Sequence, residues 1–340
     1  MIDVDFVQFE QKSNPSLNSL LIIGKGDSTY KNNQIVYPSN LTEVQDMFGV
    51  DSELTMAYKE AKIVGAPEVF LCNCYRFTDY ASILDLIAQG DFAYVAPLID
   101  FNTTFVDSET KKEEYIGKLY SDALAYTFSS VFFTSKHASL FENIEHFLNT
   151  MKSCNYDFKD KSINKLENGE NLCFVLNNLK DYKYANVVLA SLIAISDLRY
   201  YPQKDFGECV FDIRAIDCFD HEFAFFQYDD LAKTTIENLL NYYREPAPEK
   251  MLLISLMKNK INNALDYTQF SGRLINAYTK IELENYTKQV LQSFIGKLIE
   301  KFSINDIKYF KEKTGEVNIV IYITIKPYHS IEELKMEVEI

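Results

Sequence analysis

From Glu316 to Pro327 the chain reads EVNIVIYITIKP, with Val317, Ile319, Ile321, Ile323 and Ile325 at alternate positions without a break. Successive side chains of a strand point to opposite faces, so the run predicts one long strand with a wholly apolar face. Pro327 ends it, since proline cannot donate to a ladder. A second alternating run, LKMEVEI, closes the sequence: Leu334, Met336, Val338 and Ile340 stand against Lys335, Glu337 and Glu339. Such a terminal strand needs a sheet edge. It could fold back on its own domain as a hairpin, or add to the sheet of a neighbouring molecule. Its four apolar side chains gain about 1.5–3 kcal/mol each on burial. Ordering its seven residues costs about 1–2 kcal/mol each in backbone entropy. One arm on one edge therefore comes out near zero, and becomes secure when ladders and many neighbours add to it, as in a lattice.

The other end poses the same question. Val4 and Phe6 alternate with Asp3 and Asp5, and an extended run from Asp3 to Phe9 hangs on the breaker-rich linker QKSNPSLNS. Leu20–Ile23 then reads as a fully apolar strand. A turn at Pro38–Ser39 opens a short helix on Leu41, Val44, Met47 and Phe48, stopped by Gly49, and SELTMAYKEAKIVG forms another, stopped by Gly65. PEVFLCNCY is a β run, TDYASILDLIAQG a helix and FAYVAPLID a third strand. Strands alternating with short helices indicate an α/β layer with a mainly parallel sheet. Further on, NLCFVLN and ECVFDI read as strands and ANVVLASLIAISDLRY as a buried helix.

REPAPEK at 244–250 is the best boundary, because its two prolines withhold donors and bias their predecessors away from helix. Beyond it, Leu253, Met257, Ile261 and Leu265 share one helical face. Tyr286, Val290, Phe294, Leu298 and Phe302, spaced by four, predict a second long helix. The fold class is therefore α/β (α+β): an α/β core layer plus a C-terminal helix-and-sheet domain, with extended β arms at both termini.

Chemistry finds little purchase. LLIIGKGDSTYK begins like a phosphate cradle, but a P-loop needs G-x-x-x-x-G-K-[ST] running into a helix. Here Lys25 precedes Gly26 and YKNNQIVYP is no helix start. The third glycine of a dinucleotide fingerprint is also missing. The Gly24–Thr29 segment reads as a strand-end turn, with a nucleotide-binding α/β enzyme using it as the alternative. DCFDHE gathers Cys218, Asp220, His221 and Glu222 without a matching second cluster. Cys72 and Cys74 fall on one strand face with Asn73 opposite, as two small core residues would. His137, His146, His221 and His329 lie in no nucleophile elbow. The expectation is no catalysis, no metal and no cofactor.

A net charge of −15 repels phosphate backbones, which argues against direct nucleic-acid or anionic-membrane binding and for solubility or a basic protein partner. The scattered cysteines predict folding in a reducing cytoplasm. MIDVDFVQFEQK lacks the basic-then-apolar pattern of a signal peptide. No stretch is apolar over the ~20 residues a membrane span requires.

Two regions carry a family resemblance. One is LLIIGKGD…YPSNLTEVQDMFGVDSELTMAYKEAKIVGAPEVFLCNCY; the other runs from about Met251 to Ile340, with two helices, GEVNIVIYITIKP, and an alternating strand after SIEEL. Both resemble the tail sheath proteins of contractile phage tails and related contractile injection particles. The family's glycine- and Arg-Thr-containing block before the C-terminal helices has no counterpart here. The resemblance implies a strand arm and linker over 1–18 and an α/β sheath domain over 19–243, with room for an inserted outer subdomain around 100–240. A C-terminal sheath domain over 244–330 and a strand arm over 331–340 complete it. It further implies a subunit that polymerises around an inner tube, as a helical polymer or stacked hexameric rings, and contracts to drive the tube through a bacterial envelope. The exchanged arms would be Val4, Phe6 and Phe9, and Leu334, Met336, Val338 and Ile340. The receiving strand would be Val317 to Lys326, with Val317, Ile319, Ile321, Ile323 and Ile325. The tube-facing helix, from about Lys280 to Phe302, would present Lys280, Glu284, Lys288 and Lys297. Implied partners are further copies of the chain, the inner tail tube protein, and baseplate and tail terminator proteins. The implied location is a virion tail or contractile particle assembled in the bacterial host cytoplasm. Another virion component, such as a tail tube, is a third reading, although tube proteins are smaller and dominated by β structure.

Overall fold

Four consecutive apolar residues, Leu20 to Ile23, place β1 (Ser19–Gly24) where both of its faces are buried, as in a parallel sheet covered by helices on both sides. The computed structural model describes residues 18–76, 80, 83, 86–87, 92–106, 111, 113–123, 129–162, 172–195, 210–211, 223–228, 234–237, 261, 264–265, 270, 277–296, 299–311, 317–327 and 334–339. The chain divides into two units: the described residues from 18 to 237 belong to one, and those from 261 to 339 to the other. The expected boundary at 244–250 and the arm at Val4, Phe6 and Phe9 lie outside the described residues.

In the first unit, β2 (Ile35–Val36), α1 (Leu41–Phe48), α2 (Glu53–Val64) and β3 (Glu68–Asn73) follow β1. Asn40 caps α1 by accepting from the Glu43 amide at 3.0 Å, while the Glu43 carboxylate accepts from the Ser39 amide at 2.7 Å, a reciprocal arrangement that ties off the helix start. Ser52 does the same for α2 through the Thr55 amide at 3.2 Å. Next come β4 (Tyr94–Pro97), the small hairpin β5 (Thr104–Val106) and β6 (Glu113–Tyr115), α3 (Ile116–Ala123), β7 (Ser130–His137), α4 (Ile144–Ser162), β8 (Leu172–Asn177) and α5 (Ala185–Ile195). A second hairpin, β9 (Phe225–Tyr228) with β10 (Thr234–Glu237), completes the unit's strands.

The main sheet has the order β2-β3-β1-β4-β7-β8, parallel except for the short edge strand β2. Counting only its parallel strands in chain order, this is 2-1-3-4-5, a doubly wound arrangement. The sheet therefore continues into the 100–240 stretch through β7 and β8. Helices α2 and α5 pack together on one face. α5 is apolar but for Asn186 and Ser191, and its residues Ala185 to Ala194 are buried, as the sequence predicts for a core helix. On the other face Leu21, Ile23, Val95, Val131, Phe133 and Phe174 join Phe101, Tyr120 and Phe147 in one core. Cys72 and Cys74 are part of it.

The second unit holds α6 (Ala277–Gln292) and a sheet of three antiparallel strands, β11 (Ile299–Lys311), β12 (Val317–Pro327) and β13 (Leu334–Glu339). Ile261 and Leu265, two of the four residues expected on the preceding helical face, are both buried, and the Leu265 amide donates to the Ile261 carbonyl at 3.1 Å. Leu253 and Met257 lie outside the described residues.

One expectation is corrected here. The helix predicted to run to Phe302 ends at Gln292, and Phe302 lies in β11. The chain leaves α6 through tight turns, in which Ser293, Phe294 and Ile295 donate to the carbonyls three residues back. Gly296 follows at φ +77°, a left-handed conformation that suits glycine. β11 then carries register shifts between Ile299 and Lys301 and between Ile304 and Asp306. Each adds a residue to the strand, so its inward side chains fall at Ile299, Phe302, Ile304, Ile307 and Tyr309. Those spacings of three and two imitate a helical period.

Candidate assembly surfaces

The turn after β1 sits at the carboxyl ends of the strands, beside the point where the strand order reverses, which is where doubly wound folds bind ligands. Here that position is filled from within. The Gly26 amide donates to Asn73 Oδ1 at 2.9 Å, and Asn73 Nδ2 donates to the Ser28 and Tyr30 carbonyls at 2.9 and 2.8 Å. The Lys25 amide donates to the Glu53 carboxylate at 3.1 Å. Two of the donors that a phosphate would need are thus engaged, one of them by an anion. A Cβ at Gly24 would lie 2.4 Å from Leu98 Cδ1, so a larger residue there would have to displace the Leu98 side chain. Asn73, flanked by the two buried cysteines, is the residue that organises the turn. Its signal in the sequence is a lone polar side chain inside the apolar run VFLCNCY.

Among the described residues no group of three or more His, Cys, Asp or Glu could hold a metal ion; Cys218, Asp220, His221 and Glu222 lie outside them. His137 Nε2 lies 2.6 Å from the Leu179 carbonyl, and its Nδ1 accepts from the Ser139 amide at 3.1 Å. The Nδ1 contact caps the single-turn helix Ala138–Leu140. His146 packs edge-on against Phe141.

The three-stranded sheet brings the apolar runs of the sequence together. β13 pairs with β12 of the same chain, with Leu334 opposite Ile325, Met336 opposite Ile323 and Val338 opposite Ile321. Ile340 lies outside the described residues. On the other side of β12, Phe302, Ile304, Ile307 and Tyr309 stand opposite Ile325, Ile323, Ile321 and Ile319. Ile319, Ile321, Ile323 and Ile325 are buried, so β12 is the centre of this unit's core. The opposite face carries polar and charged side chains around the buried Val320. Lys308 lies over the Tyr322 ring at 4.7 Å, Asn305 donates to Thr324 Oγ1 at 2.7 Å, and Lys326 pairs with Glu300 at 2.7 Å.

Helix α6 packs against β11 through a stripe of Thr279, Leu283, Thr287 and Leu291, all buried. The charged residues singled out on this helix are partly committed: Lys280 reaches Asp306 at 3.7 Å and Lys288 pairs with Glu284 at 2.5 Å. Lys297 lies outside the described residues. The outward face carries Tyr278, 80% exposed, and Ile281, 54% exposed, beside exposed Glu282, Asn285 and Lys288. A search for charges overlooks the first two. Their position opposite the buried stripe, at i and i+3, was the available signal.

No protein-family model matches the sequence, and no curated protein matches it. Solved structures do. A sheath tail protein from Listeria innocua aligns over 94% of this chain and 94% of its own, with a TM-score of 0.64 and 10% identity. The sheath of an extracellular contractile injection system, in its contracted state, covers 97% of this chain and 93% of its own at a TM-score of 0.60 and 10% identity. The contracted helical sheath of the anti-feeding prophage covers 98% and 94% at 0.57 and 10%. Both units are included in alignments of that extent, and the expected resemblance is met at the level of architecture: the chain has the fold of the tail sheath proteins of contractile particles.

Proposed function

We propose that this protein is the structural subunit of a contractile tail sheath, which polymerises around an inner tube by exchange of terminal β-strands and contracts to drive the tube through a bacterial envelope. The observation that carries this is the likeness to sheath proteins over almost the full length of both chains. β13 closes on β12 of its own chain, the hairpin placement, in a register that is compatible with exchange. A strand that closes on its own chain in one register can be replaced by the same strand of another copy in that register, with every ladder bond and apolar contact reproduced. Exchange therefore asks only that the connector 328–333 lead to a neighbour instead of turning back. The N-terminal arm, with Val4, Phe6 and Phe9, serves as the second exchanged strand, and β12 with its Ile319–Ile325 face receives the C-terminal one. The outward face of α6 meets the tube, with Tyr278 and Ile281 as apolar contacts and Lys288 and Glu284 beside them. Baseplate and terminator proteins bound the polymer in the tail.

No nucleotide is needed for contraction in this scheme. An extended lattice assembled in a metastable state releases energy when its subunits gain contacts on compaction. Deleting 334–340 tests the scheme. The truncated protein is expected to remain folded and monomeric and to form no tubes under the electron microscope. Tubes of normal diameter and striation from the truncated chain would overturn it.

A further inference from the structure

A strand could in principle join the three-stranded sheet along the outer edge of β11, and the chain occupies that edge itself. In the order β11-β12-β13, β11 pairs along one side with β12. At Ile299 both backbone groups turn to the other side. The Ile299 amide donates to the Phe294 carbonyl at 3.2 Å, and its carbonyl accepts from the Gly296 amide at 3.1 Å. Backbone groups alternate sides along a strand, so the pairings with β12 return this outward setting at Phe302, Ile304, Ile307 and Tyr309. The Ile307 amide is taken in turn by Asp306 Oδ1 at 2.8 Å, and Lys280 of α6 approaches the same oxygen at 3.7 Å.

Two bulges break the edge near these points. The register shifts leave Glu300 and Asn305 as the extra residues, and the side chain of each is tied to β12. Glu300 pairs with Lys326 at 2.7 Å, and Asn305 donates to Thr324 Oγ1 at 2.7 Å while accepting from the Ser303 hydroxyl at 3.0 Å. A bulge bends its strand and sharpens the local twist, so an incoming straight strand would lose its ladder at each one. Charge adds to this, because Glu300, Lys301, Asp306 and Lys308 are all exposed. Bulges, charged side chains and cover from the same chain are the means by which sheet edges are kept from pairing. On the other side of β12, β13 runs from Leu334 to Glu339 with no register shift.

We infer that the outer edge of β11 is closed to further strands, with the Asn305 bulge and the Asp306 side chain as its block, so that a strand from a second copy of this chain can join the sheet only on the β13 side. The use of that direction in building a polymer rests on the strand exchange of the proposed function; the block itself belongs to the single chain. It denies copies a β11-to-β11 contact that would compete with assembly through β13.

A full chain with Asn305 deleted and Asp306→Thr tests the block. The deletion removes one extra residue and leaves the other pairings of β11 with β12 in register, and threonine suits a strand. This variant is expected to self-associate at concentrations where the wild type does not, as read by sedimentation. Exchange of the Phe302, Ile304, Ile307 and Tyr309 amides is expected to slow about ten-fold or more on association. Wild-type sedimentation and exchange in the variant would overturn the block. Removing 334–340 from the same variant separates the block from strand exchange. Association that persists without β13 arises at β11, as inferred; association lost with β13 would overturn the inference. If the variant fails to fold, the wild-type chain decides. Its four outer-edge amides are expected to exchange equally in dilute and in concentrated solution, and a ten-fold slowing on concentration would overturn the block.

Discussion

In the six-stranded sheet, the carboxyl ends of the strands are tied by side chains from elsewhere in the same unit. Asn73 grips the turn after β1, Asn178 donates to the Phe226 carbonyl at 2.6 Å and accepts from its amide at 3.1 Å, and Asn186 ties the end of β4 at Pro97 to β7 at Phe132. In the three-stranded sheet, the cross-strand side-chain ties are exposed. Asn305 with Thr324 and Lys326 with Glu300 sit on its polar face, and β13 joins through its ladder to β12. The first arrangement can be made only once, because each buried amide is fitted to its particular partners within the unit. The second can be made equally well by a strand of any identical chain. The sheath polymer proposed above, whose subunits shift while it holds together, would need both kinds of region.

That contrast can be broken from its strong side first. Asn73→Ala removes three hydrogen bonds at a buried position and leaves the Gly26 amide without its acceptor. It is expected to cost about 2–3 kcal/mol, seen as a lower midpoint in chemical denaturation. Lys326→Ala, by contrast, removes half of an ion pair whose side chains are 37% and 51% exposed, and is expected to cost below about 0.5 kcal/mol. A larger loss at Lys326 than at Asn73 would erase the distinction between the two sheets.

Much of this architecture was legible because local signals agreed. Leu20–Ile23, the glycine stops at 49 and 65 and the largely apolar 185–194 stretch each point to one element. The alternation from Val317 to Ile325 predicted β12 for the same reason. β11 was hidden because its two bulges disguise a strand as a helix. The buried polar ties were hidden because their partners lie far away in sequence: nothing near Asn186 announces Phe132, and nothing near Asn73 announces that it faces Gly26. On α6 the search for charges found Lys280, Glu284 and Lys288, two of which face partners on the same helix. The more exposed Tyr278 went unnoticed.

The central claim is that β13 is lent between copies, and a cross-link tests it most directly. Thr324 and Lys335 stand opposite each other across β12 and β13, and the cysteines whose side chains are described, Cys72, Cys74 and Cys173, are buried. Chains carrying Thr324→Cys alone are mixed with chains carrying Lys335→Cys alone, assembled, and oxidised beside the unaltered protein. Exchange predicts covalent dimers that form in the mixture and in neither variant by itself. Assembled tubes that yield no dimers, while a chain bearing both substitutions closes the bond entirely within itself, would contradict it.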